Sequence, residues 1–228
     1  MATTIDQPAL YRLLSWLSPS YPVSAYSFSH GLEWAVANQP IADAPGLGDW
    51  IETILLHGSG RNDAILFVQA WRAAGDPDRL AELAELALAF AGSMERREET
   101  RTQGRAFLST TLAVWPEPRL QVSAAAIGPT PAYPVAVGVA AAAHGVPLEP
   151  ALQGFLHAVA ANLVSAGVRL IPLGQTDGQR LVASLAPTIM AVAADALAAT
   201  VEDLGGAAFR ADIAAMAHEA QHVRLFRS

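Results

Sequence analysis

Apolar residues recur at helical spacing along nearly the whole chain. Leu10, Leu13, Leu14 and Leu17 occupy the i, i+3, i+4, i+7 positions of one helical face. Trp50, Ile51, Ile54 and Leu55 form a second stripe that ends near Gly58 and Gly60. Residues 62–74 read as a helix rich in large apolar groups. Asp76-Pro77 marks a helix start, because aspartate caps the free amides and proline takes the first helical position, where its missing N–H is not needed. Leu80, Leu83, Ala87 and Phe90 then share a face. The polar run ERREETRTQGR, residues 95–105, reads as helix with charges able to pair at i, i+4. Helical patterns return at 134–144, at 150–170 and from 175 to about 200. Breaks fall at SPSYPVSAYSFSHG (18–31), where Pro19 and Pro22 push their predecessors toward extended backbone, and at WPEPR (115–119) and GPTPAYP (128–134). A short helix resumes at Leu32. No stretch alternates strictly and none carries a hairpin turn signal. The pattern therefore predicts an all-α fold, one compact domain over residues 1–228 with roughly ten helices.

Composition sharpens this picture. Of 228 residues, 47 are alanine and 52% are hydrophobic, while charged residues make up 15%, well below the usual quarter. Such a chain is folded rather than disordered, and alanine-rich faces let helices approach closely. The net charge of −7 provides no basic footprint for nucleic acid. The absence of cysteine excludes disulfides, thiolate metal sites and a cysteine nucleophile. All 14 basic residues are arginine, so Schiff-base chemistry and a P-loop lysine are also excluded. The start MATTIDQPAL has neither the basic opening nor the apolar run of a secretory signal. Residues 181–201 are long enough to span a bilayer, but they are mostly alanine and contain Pro187 and Asp195, which favours a buried or interfacial helix. The expectation is a cytoplasmic protein with no membrane partner.

One motif points to chemistry. Residues 218–222, HEAQH, match the zinc peptidase pattern in which two histidines one helical turn apart bind the metal and the glutamate acts as general base. A third protein ligand is required, and the six residues after His222, VRLFRS, include no His, Asp or Glu. A peptidase using His218, Glu219 and His222 is therefore the alternative reading, beside an all-α scaffold of an unrelated complex, and a pair of surface histidines is preferred to a metal site. His57, His144 and His157 are scattered and read as structural. The turn LGQTDGQ, with Gly174 and Gly178, reads as a connection between helices.

Three blocks carry a resemblance. SPSYPVSAYSFSHGLE (18–33), ANLVSAGVRLIPLGQTDGQR (161–180) and DIAAMAHEAQHVRLFRS (212–228) together resemble the urease accessory protein F family, with ETRTQGR (99–105) and YPVAVGVAAAAHGVPLE (133–149) in the expected order between them. The likeness covers nearly the whole chain. Ser24 stands where the family usually has glycine, Ala25 replaces another common small residue, and His222 occupies a position that is often tyrosine, which weighs against a shared metal role for the HEAQH pair.

The resemblance implies an all-α, dimerising, chaperone-like adaptor rather than an enzyme. Such a protein binds the D-type accessory protein, called H in some organisms. It recruits the G-type GTPase and docks on apo-urease while GTP hydrolysis drives nickel insertion. It implies no cofactor for this chain, since the GTPase holds GTP and nickel passes through the complex. The segment 208–228 is then the partner-binding end. By residue type alone, Arg224, Leu225, Phe226 and Arg227 are two guanidiniums around an apolar pair, the composition of an interface hot spot. Ser228 closes the same motif. Tyr26 and Phe28 lie in the proline-bounded loop, either packed on the first helix or facing a partner. Glu33 is placed either to cap a neighbouring helix or to face a metal path.

Overall fold

The computed structural model describes residues 5–228. The part of the leader reading that concerns residues 1–4 lies outside them. Among the described residues there are twelve α-helices, two short 3-10 turns and no strand, so the chain is all-α. In chain order they are α1 (Gln7–Trp16), a 3-10 turn (Ala25–Ser27), α2 (Leu32–Asn38), α3 (Ala44–His57), α4 (Ser59–Arg72), α5 (Pro77–Ala89), α6 (Met94–Val114), α7 (Pro118–Ile127), α8 (Tyr133–Ala143), α9 (Leu148–Leu170), α10 (Gln175–Ser184), α11 (Ala186–Ala198), a second 3-10 turn (Val201–Asp203) and α12 (Phe209–His218).

The bundle is organised around α8. Its sequence YPVAVGVAAAA is apolar on every side, and every residue except Ala142 is buried. A helix with no polar face must be covered all round. Helices α4 and α6 supply most of that cover. At Gly138 the backbones of α8 and α4 nearly touch, since a Cβ there would lie 2.6 Å from the carbonyl oxygen of Phe67. Trp16 then fastens α1 to this core, meeting Phe107 of α6 edge-on at 5.9 Å and Trp115 at 6.0 Å.

Several starts follow directly from local chemistry. Asp6, Asp43 and Asp76 cap α1, α3 and α5 with their side chains, each followed by a proline in the first turn. Glu117-Pro118 opens α7 in the same way, a helix that the break at WPEPR conceals. The pattern from 175 to about 200 is not one helix. It is interrupted at Leu185, because Pro187 lacks the N–H that would bond the carbonyl of Ala183 and its ring crowds that carbonyl. By length and hydropathy alone, Leu148–Leu170 and Gln175–Ala198 could each cross a membrane. Half of the apolar window in the first and a third of that in the second are buried within the bundle.

Two features set up the site. Helix α12 lies across α2 and α6. The turn into α2 passes through His30 and Gly31, both at positive φ (55° and 74°). At Gly31 a Cβ would come within 2.5 Å of the Ala215 amide nitrogen, so only glycine lets this turn press against α12.

Candidate functional site

The turn before α2 brings Glu33, in the first turn of that helix, beside the end of α12. Glu33 does not cap a helix. Its two carboxylate oxygens accept the backbone N–H groups of Leu225 (2.6 Å) and Phe226 (2.9 Å). One of them also lies 3.2 Å from Nε2 of His218. The other imidazole nitrogen, Nδ1, is 2.6 Å from Glu95 of α6. His218 thus sits between two carboxylates, one at each ring nitrogen. Glu95 also accepts a hydrogen bond from the Arg224 guanidinium. Arg224 in turn donates to the carbonyls of Gln221 (2.6 Å) and Glu219 (2.9 Å). Glu219 accepts the N–H of Met94 at 2.8 Å, tying the end of α12 to the start of α6.

A second carboxylate holds the last residues. Glu99 of α6 accepts Nε2–H of His30 (2.7 Å), the Gln103 amide (2.9 Å), the Ser228 hydroxyl (2.9 Å) and the Arg96 guanidinium. Burial pushes the Glu99 carboxyl up, but Arg96 and His30 beside it more than reverse this and hold it at about 2. The Ser228 carbonyl oxygen accepts from both the N–H (2.6 Å) and the hydroxyl of Ser29, and Arg227 N–H donates to Ser27 O at 2.8 Å. Phe226 inserts beneath Arg169, whose guanidinium carbon lies 4.3 Å from the ring centre, and Arg169 also donates to the carbonyl of Tyr26 at 2.9 Å. Arg227 reaches over Phe28 at 5.6 Å. Residues 219–228 are thus a strap with no helix, laid over α2 and α6 and held by the buried carboxylates of Glu33 at Leu225–Phe226 and of Glu99 at Ser228.

All eight residues singled out from the sequence meet here, but they divide in two. Phe28, Glu33, Phe226 and Ser228 are buried in the chain's own interior and hold the strap. Tyr26 and Leu225, at 66% and 65% exposure, point to solvent, and Arg224 and Arg227 are exposed around their internal bonds. His218 corrects the surface-histidine reading, since it is fully buried at the centre of the network. His222 is exposed beyond the end of α12, so the HEAQH histidines do not share a helical turn and the peptidase geometry is not formed. Glu95, Arg96, Glu99, His30 and Arg169 were missed. In ERREET, the pairing Arg96–Glu99 is i, i+3 and faces inward. No periodic signal marks that, because the run is polar on all sides.

The fold and site define a class first. This is a helical protein whose concentrated polar chemistry holds its own strap in place. Comparison with known proteins gives the particular family. The UreF family model matches residues 41–186. The chain is 55% identical over 222 residues to the urease accessory protein UreF of Rhodopseudomonas palustris (strain BisB18), covering 96% of this chain and 92% of that one. It is 53% identical over 225 residues to the protein of the same name from Bradyrhizobium diazoefficiens, covering 98% and 93%. The chain belongs to the UreF family of urease accessory proteins, with a role in urease maturation and not as an enzyme.

Proposed function

We propose that this chain is the adaptor of urease maturation: it binds the D/H-type accessory protein, recruits the G-type GTPase, and as a homodimer in the cytoplasm presents both to apo-urease for GTP-dependent nickel insertion. In this reading the chain holds no resident cofactor, GTP belongs to the GTPase, and nickel is cargo of the complex. Supporting it is the docked strap, which closes the 208–228 segment and offers Val223, Leu225 and Arg227 to solvent in a fixed conformation. A pre-ordered hot spot loses less conformational entropy on binding than a frayed tail. Along α12, Phe209, Ile213 and Met216 add an exposed apolar stripe at i, i+4, i+7 spacing that leads into the strap.

The test is capture of the purified partners by the full chain and by a variant lacking residues 224–228. The reading expects the truncation to weaken capture of the D/H-type protein or the GTPase by at least about tenfold. Unchanged capture of both would remove the strap from partner binding. In cells, loss of the gene is expected to leave urease assembled, poor in nickel and inactive; fully active urease would overturn the reading.

A further inference from the structure

Away from the strap, a cavity of about 190 Å³ opens between α4, the α5–α6 connection and α12. Its polar lining is rich in acceptors. Asp63 of α4 receives no hydrogen bond among the described residues, its nearest charged group being the Arg96 guanidinium at 3.8 Å, which is already paired with Glu99. Asp212 of α12 likewise has no donor among them. His30, more than nine-tenths buried, also borders the cavity. Its Nε2–H is given to Glu99, so Nδ1 carries a lone pair, and that atom has no partner. Leu66, Ala87 and Ala211 supply apolar wall, and Phe90 is exposed near the opening.

We propose that this cavity is a binding site for an organic cation, a guanidinium or alkylammonium group on a short apolar stem, held by the carboxylates of Asp63 and Asp212 and by the free Nδ1 of His30. Arg96, paired with Glu99 and 3.8 Å from Asp63, is the one arginine in the lining, so two carboxylates and the free Nδ1 leave an excess of acceptors and negative charge that suits a positive ligand with several N–H groups. The space is far larger than a bare ion, and no group of three or more His, Asp or Glu among the described residues is arranged to hold a metal. The electrostatics agree. Burial raises the Asp63 carboxyl to about 6, against the pull of Arg96 and with a further push from Glu99. Burial raises Asp212 as well, against Arg96. Burial and Arg96 push His30 below its ordinary range against the pull of Glu99, which keeps the lone pair free.

The probe is butylguanidinium, titrated calorimetrically into the full chain at about pH 7.5, with 1-butanol as the uncharged control. Millimolar binding of the cation and none of the alcohol is expected, weakened at least about tenfold by Asp63→Asn and by Asp212→Asn. Asp63 must be ionised to pair with the cation, so binding is expected to fall roughly tenfold at about pH 5. No saturable binding to the folded chain at about 10 mM, or binding unchanged in both variants, overturns the proposal. The two variants also separate the sources of such a cation. If they weaken capture of an accessory partner, the group is a basic side chain of that protein. If capture is intact while butylguanidinium binding is lost, it is a free small molecule.

Discussion

The surroundings of α8 and the strap are both buried, yet opposite chemistry holds them. Around α8 the contacts are apolar and redundant, and a single close approach at Gly138 fixes how α4 crosses it. Under the strap the contacts are few, charged and individually necessary, because Glu33, Glu95 and Glu99 each have their oxygens shared among several donors. Dispersion and apolar burial are spread over many atoms, whereas a buried carboxylate is stable only while its donors stay in place. The core therefore specifies the fold, while the strap is a separable layer whose position depends on a handful of ionised groups.

The largest expected effect breaks the core side of this contrast. Gly138→Val puts side-chain carbon against the Phe67 carbonyl, where backbone rather than a flexible side chain must give way. A loss of more than about 3 kcal/mol is expected, measured by urea unfolding. A loss below about 1 kcal/mol would show that α4 and α8 are not as rigidly crossed as the geometry states. Next comes Glu99→Gln, with an expected loss of about 3 kcal/mol at neutral pH, since Arg96 stays buried with only Asp63, 3.8 Å away, in ion-pair reach to oppose its charge. Here the sign follows from a folded value below the unfolded one. The stability that Glu99 contributes is present above about 4.5 and is lost as pH falls toward about 2. The gap between wild type and variant should therefore close in that acid range. Trypsin should also cut the variant after Arg224 and Arg227 at neutral pH, conditions under which the wild-type strap is protected. A variant that is equally protected would detach Glu99 from the strap.

The two regions also differed in how legible they were. Much of the core could be read from the chain because the helices around α8 each bury one face and leave a periodic trace, and Asp-Pro starts announce themselves locally. Helix α8 itself, apolar all round, leaves none, and in α1 the stripe misleads, since Leu10 and Leu14 are exposed while Ala9, Leu13 and Trp16 are buried. What hid α7 was a capping residue, Glu117, outside the usual set, together with prolines on both sides of it that read only as a break. The strap residues drew attention by type and by resemblance, but their division into inward and outward members did not show. Leu225 and Phe226 are adjacent and alike in character, yet one is exposed and the other buried, because Glu33 fixes their backbone from a position 192 residues away in the chain. The same holds for His218, whose two carboxylates come from α2 and α6. Long-range polar satisfaction leaves no local pattern, so only the fold reveals it.

Asp63 gives the smallest expected effect and the finest test of the contrast, because it predicts the opposite sign. If every buried charge served the fold, each substitution in the polar layer would destabilise. Asp63 has no donor, and burial raises its carboxyl to about 6. An acid whose folded value lies above its unfolded one withdraws stability as pH rises: the favourable balance is complete below 3.8 and is lost by the time pH passes about 6. Its side chain is 20% exposed, and solvent screening keeps the penalty to about 1 kcal/mol. Asp63→Asn should therefore be more stable than wild type by about that amount at about pH 7.5 and equal to it near pH 4, by thermal or urea unfolding. A variant less stable than wild type at the higher pH would mean that Asp63 is held by the fold like Glu99. A gain there marks a charge that the folded chain keeps at its own expense, which is the expected behaviour of a group placed for a ligand rather than for the bundle.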